Sequence, residues 1–159
     1  MSQAITRLIL AGVLDRYPNL RLLLAHSGGA LPQLSSRLAS CIVHDPIVAK
    51  RLKHDARYYL GKLYFDAVAY GAEELGFVSS VIERAGAYSS TGGEHDTDVG
   101  STRMLFGTDH PFFPPLEASQ KWQSVEDNLK AIRNVQIWGD SARANVLGLN
   151  ALRLFNLEC

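Results

Sequence analysis

The chain has 159 residues, 47% of them apolar and 20% charged, and sixteen basic residues balance sixteen acidic ones. Such a length fits one domain of about 100–200 residues, and the apolar fraction excludes disorder along the whole chain. The zero net charge gives no long-range attraction to nucleic acid or anionic lipid, and no apolar run approaches the roughly 18 residues of a membrane span.

The first segment reads as a helix capped by Ser2, with Ile5, Leu8, Ile9, Gly12 and Val13 at helical spacing. It ends near Tyr17, because the residue before a proline disfavours the helical region. Arg7 and Asp15 interrupt its apolar stretch and no small-residue cleavage site follows, so it does not read as a signal peptide. Residues 20–25 form an apolar run between Pro18 and Ser27-Gly28-Gly29, which predicts a buried strand. Residues 31–43 predict a helix, and the basic stretch 50–57 a solvated helix face or loop. A second strand is expected at 63–68. A helix is expected from about Ala72 to Ala85, with Leu75, Val78, Ile82 and Ala85 on one face.

Residues 88–101 are polar and glycine-rich without apolar periodicity, and read as a flexible insertion. The third strand is expected at 103–108, and the prolines that follow end it. A helix begins near Ser124, with Asp127 completing a near capping box and Val125, Leu129 and Ile132 as its apolar face. Residues 135–138 are extended. Asp140 caps a helix over 141–147, and 151–157 form a last one.

The strands start near residues 20, 62 and 103, spaced by 42 and 41 residues with helix between them. That βαβαβ order predicts an α/β fold with parallel pairing and right-handed crossovers. The continuous apolar strands suit a sheet covered on both faces.

In parallel α/β folds, sites form at the carboxyl ends of the strands. His26 ends the first strand, Asp66 lies near the end of the second, and Asp109-His110 end the third. These imidazoles and carboxylates are the groups that bind Zn²⁺ or exchange protons at neutral pH. Each also has a plainer reading. His26 can cap a turn, Asp66 can bond nearby backbone, Asp109 can close a turn, and His110 points away from its neighbour. Gly28 and Gly29 serve a tight turn or leave room for a substrate. Phe112, Phe113 and Trp122 either wall an apolar substrate or pack internally. His44, His54 and His95 read as solvated. Cys41 and Cys159 make no disulfide framework and read as free thiols of a cytoplasmic protein.

Leu14-Asp15-Arg16-Tyr17-Pro18-Asn19-Leu20, followed by His26-Ser27-Gly28-Gly29, resembles a stretch of amidohydrolase-related proteins. The branch is that of aminocarboxymuconate-semialdehyde decarboxylase. Phe106-Gly107-Thr108-Asp109-His110-Pro111-Phe112 is similar to the motif after that family's last barrel strand, and Asn145-Val146-Leu147-Gly148-Leu149 to its closing helix. The three matches occur in family order.

The resemblance implies the C-terminal portion of a (β/α)8 barrel, with the three strands corresponding to strands six to eight. It implies a zinc-dependent or other divalent-metal decarboxylase of aromatic or muconate-type acids, acting on a small-molecule carboxylate. It makes His26 the catalytic acid/base and Asp109 a metal ligand, with Gly28, His110, Phe112 and Phe113 on the substrate side. The family draws its other ligands from a His-x-His pair and a further histidine on earlier strands, and this chain contains no His-x-His. Since a catalytic zinc usually takes three protein ligands and a full barrel about 250 residues, the expectation is weak metal binding and little turnover by this chain alone. Two alternatives stay open. One is a non-catalytic remnant whose unpaired strand edges favour binding or homo-oligomerisation. The other is an amide or lactone hydrolase of the same superfamily.

Overall fold

The computed structural model describes residues 1–91 and 99–157. In chain order the elements are α1 (Ser2–Leu10), α2 (Val13–Arg16), β1 (Leu23–Leu24), α3 (Leu31–Val43), α4 (Pro46–Ala49), β2 (Tyr64–Asp66), α5 (Ala72–Glu83), α6 (Val99–Thr102), β3 (Met104–Leu105), α7 (Gln123–Asn134), α8 (Asp140–Ala144) and α9 (Asn150–Phe155). A tight 3₁₀ segment spans Ala56–Lys62, and the five residues between α8 and α9 form a π turn.

The strands pair in the order β1-β2-β3, all parallel, with Leu24 opposite Phe65 and Phe65 opposite Met104. The expected βαβαβ arrangement therefore holds, although the strands are two or three residues long instead of six. Leu24, Phe65 and Met104 are buried. They join Ile5 and Ile9 of α1, Leu75, Val78 and Ile82 of α5, and Ala131 and Ile132 of α7 in one core. Trp138 enters this core and donates its indole N–H to Ser79 Oγ at 2.9 Å. On the side of β3 away from β2, Asn150 Nδ2 donates to the Met104 carbonyl at 2.7 Å and the Phe106 N–H to the Val146 carbonyl at 2.8 Å. The C-terminal segment thus closes this edge, which the sequence left unpaired.

Several local expectations are corrected. The first helix breaks at Gly12, whose φ of +66° suits glycine. Ser2 lies inside α1 and bonds the Gly28 carbonyl at 3.3 Å instead of capping. Trp122, not Ser124, is the N-cap of α7, and Asp127 accepts from Gln123 Nε2. The buried face of α7 is Ser124, Asn128, Ala131 and Ile132, with Val125 and Leu129 at its margin. Gly139 is the N-cap of α8, and Asp140 is its first residue. His54 is half-buried and packed against the Tyr58 ring at 3.9 Å, with Nδ1 accepting from the Ser90 N–H, so it is not a solvated side chain. Cys41 is an exposed free thiol. Residues 92–98 of the expected insertion, with His95, and Cys159 lie outside the described residues. Residues 99–102 form the helical turn α6. Among the described residues no helix is long and apolar enough to cross a membrane.

Candidate functional site

The chain leaves β1 through a left-handed turn. His26, Ser27, Gly28 and Gly29 have φ values of 49°, 50°, 81° and 59°. A non-glycine residue there costs roughly 1–3 kcal/mol and persists only where its surroundings hold it. Asp66, at the end of β2, supplies that hold. Its Oδ1 accepts the Ser27 N–H at 2.9 Å and the Val68 N–H at 3.2 Å. The Ser27 hydroxyl lies 3.0 Å from the Asp66 carbonyl and 3.4 Å from that of Val68. Asp66 therefore bonds nearby backbone, the plainer of its two readings. Gly28 is packed inward, since a Cβ there would lie 2.7 Å from Phe65 Cε1. The turn leaves the His26 side chain exposed, in a cleft of about 380 Å³ that it shares with Gly29, Gln33, Val68, Glu73 and Phe77.

Asp109 sits in a second strained turn, with φ of 54°, beyond the end of β3. Its Oδ2 accepts the Tyr70 hydroxyl at 2.6 Å. Tyr70 lies in the turn after β2, itself at φ 61°. That turn is held from behind by Asn128 of α7, whose Oδ1 accepts the N–H groups of Ala69 and Tyr70 at 3.2 and 3.1 Å. Asn128 is fully buried and anchors its own amide on the Ser124 carbonyl. Desolvation, and then the bond to Asp109, push the Tyr70 hydroxyl up to about 12, so it stays a donor.

Phe113 meets the Tyr70 ring edge-on at 5.9 Å, and His110 packs on Trp122 at 4.2 Å. Phe112 and Phe113 are both exposed. All the sequence-proposed residues except Gly28 thus lie at the carboxyl edge of the sheet as exposed or half-exposed groups. They form two neighbourhoods: the cleft with His26, and the Tyr70–Asp109 contact with Phe113. Tyr70 and Asn128 were missed. Tyr70 lies in the same strand-to-helix connection that Asp66 begins, and Asn128 and Ser124 are the polar residues on the buried stripe of α7.

Among the described residues, no three His, Cys, Asp or Glu side chains come together in a group that could hold a metal ion. Asp109 offers one carboxylate, with one oxygen already taken by Tyr70. The described residues do not by themselves fit a metal centre.

The fold and the strand-end site define the class: three parallel strands with flanking helices, as in part of the (β/α)8 barrel of amidohydrolase-type decarboxylases. No family profile matches the chain. The chain is 27% identical to the 2-amino-3-carboxymuconate-6-semialdehyde decarboxylase of Dictyostelium discoideum, over 98% of its own length and 36% of that protein's. It is similar to the apo crystal structure of an IDCase from Metarhizium anisopliae, with 34% identity and a TM-score of 0.73 over 99% of this chain and 39% of that one. A 5-carboxyvanillate decarboxylase from Novosphingobium aromaticivorans, solved with manganese and 4-hydroxy-3-methoxy-5-nitrobenzoic acid, shares the fold at 21% identity and a TM-score of 0.71, over 98% of this chain and 38% of that one. The chain spans about a third of the length of the curated relatives it matches. The resemblance read from the motifs therefore holds.

Proposed function

We propose that this chain carries one part of the reaction rim of a metal-dependent decarboxylase of aromatic or muconate-type acids. The observation that carries this reading is the match to a muconate-semialdehyde decarboxylase over 98% of the chain, with His26 and Asp109 at the ends of parallel strands. His26 is the proton carrier. When the carbon–carboxylate bond breaks, its electron pair stays on the carbon and CO₂ departs. A protonated imidazole then delivers a proton to that carbon. The turn clamped by Asp66 fixes where the imidazole stands, and exposure in the cleft gives a small acid access to it. Asp109 is the carboxylate offered to a divalent cation, zinc by the resemblance or manganese as in the solved 5-carboxyvanillate decarboxylase. The described donors of this chain do not by themselves complete a site for that cation. By the resemblance, the remaining ligands would come from a His-x-His pair and a further histidine on earlier barrel strands.

A metal titration tests the reading. The purified chain should bind Mn²⁺ and Zn²⁺ weakly, and Asp109→Asn should weaken the binding further. Tight, stoichiometric binding that Asp109→Asn leaves unchanged would overturn the assignment of Asp109.

A further inference from the structure

The opposite, amino-terminal edge of the sheet carries a basic groove that the proposed reaction does not use. Two adjoining depressions of about 320 and 240 Å³ share Arg21, Tyr64 and Arg103. Arg153 lines the first and Lys62 the second. Four cations thus line one continuous groove of a chain whose net charge is zero, and among the described residues no carboxylate lines it.

The three guanidinium groups are held, but by neutral partners. Arg21 donates to the Leu154 carbonyl at 2.8 Å. Arg153 donates from one nitrogen to Asn145 Oδ1 at 3.0 Å and to Asn150 Oδ1 at 3.2 Å. Arg103 lies over the Tyr64 ring, 4.7 Å from its centroid. None of the four cations forms an ion pair with a described carboxylate. The nearby Asp15 accepts from Tyr59 and from the Lys53 backbone. A guanidinium has five N–H donors, so most of each fork remains available to a ligand. Fixing the fork in advance lowers the ordering cost of binding. Planar forks lining one groove suit the oxygens of a multiply charged oxyanion.

We infer that this groove, at the strand ends opposite His26, binds a small multiply charged oxyanion through Arg21, Arg103 and Arg153. The shared chemistry is a cluster of anionic oxygens, from either a phosphate ester or a polycarboxylate.

Calorimetric titration of the full chain at low ionic strength with inorganic phosphate, pyrophosphate and citrate, and in a separate arm with a polyglutamate peptide, tests this. Pyrophosphate or citrate should bind and weaken steeply with added salt, and their ranking tells a phosphate source from a carboxylate one. Arg103→Gln combined with Arg153→Gln should raise the dissociation constant at least about tenfold, as expected on losing charge-assisted hydrogen bonds. Lys62→Gln, which carries none of the groove's described hydrogen bonds, should weaken binding without unfolding the chain. Arg84→Gln, an exposed cation outside the groove, should change nothing. Absence of binding by all three small anions, an equal loss in Arg84→Gln, or binding of the peptide alone would each overturn the inference.

Discussion

Ser27 and Asp66 lie 39 residues apart in sequence, yet the Ser27 N–H donates to Asp66 Oδ1 at 2.9 Å. This bond ties the turn that carries His26 to the end of the neighbouring strand. The same oxygen also takes the Val68 N–H. One carboxylate therefore sets the position of the proposed acid/base without touching it.

Asp66→Ala should destabilise the chain by about 2 kcal/mol, because it strands two partly buried backbone donors. Asp66→Asn keeps an oxygen in place and should cost less than about 1 kcal/mol. Urea denaturation of the two variants separates them, and equal costs would show that the clamp is not what holds the turn.

Gly28→Ala should cost about 2–4 kcal/mol. The new methyl would lie within 2.7 Å of Phe65 Cε1, at a φ of +81° that L side chains rarely adopt. Phe65→Leu in the same chain should recover part of the loss, since it removes the clash but not the backbone strain. A fully additive double variant in the denaturation curves would contradict this packing.

The βαβαβ order, the parallel pairing and α3 were legible in the sequence. Apolar runs bounded by proline and glycine mark buried strands, and residues 31–43 carry a clear helical stripe behind Pro32. Strand length was not legible, because the 20–25 run stays apolar while only Leu23–Leu24 has ladder geometry. The position of His26 at a strand end followed from the same reasoning. The roles of Asp66, Tyr70 and Asn128 did not. Each acts through a bond to a residue 39 to 59 positions away, and no local pattern encodes such a contact.

Tyr70→Phe removes the hydroxyl from Asp109 Oδ2 and keeps the edge-on contact with Phe113. The pair is exposed, so stability should change by less than about 1 kcal/mol. The freed carboxylate should bind Mn²⁺ more readily than in the parent chain. Unchanged Mn²⁺ affinity by calorimetry would show that the Tyr70 bond does not compete for Asp109.

Tyr59 gives the chain an alkaline limit. Its hydroxyl donates to Asp15 Oδ2 at 2.6 Å. Burial first, and then this bond, hold its pKa well above the ordinary value of about 10. The unfolded chain releases this proton near pH 10 while the folded chain retains it. The contribution is therefore complete below about pH 10 and is lost as pH rises from there towards the folded value. Tm should fall more steeply above about pH 10 in the parent chain than in Tyr59→Phe, even though the variant is less stable at neutral pH. Identical slopes in a thermal melt series from about pH 8 to 11.5 would contradict the assignment.

His26 and Asp109 are proposed to form part of a decarboxylase rim whose other metal ligands, by the resemblance, come from earlier barrel strands. The most direct test of this proposal is CO₂ release from aromatic and muconate-type acids, with Mn²⁺ or Zn²⁺ present. The chain is assayed alone and mixed with a candidate N-terminal portion of a related barrel carrying a His-x-His pair. Release on mixing, with little from either part, and a loss of at least about 100-fold in His26→Ala, is the expected result. A mixture that binds no metal, or a His26→Ala chain that supports the same release as the parent, would contradict it.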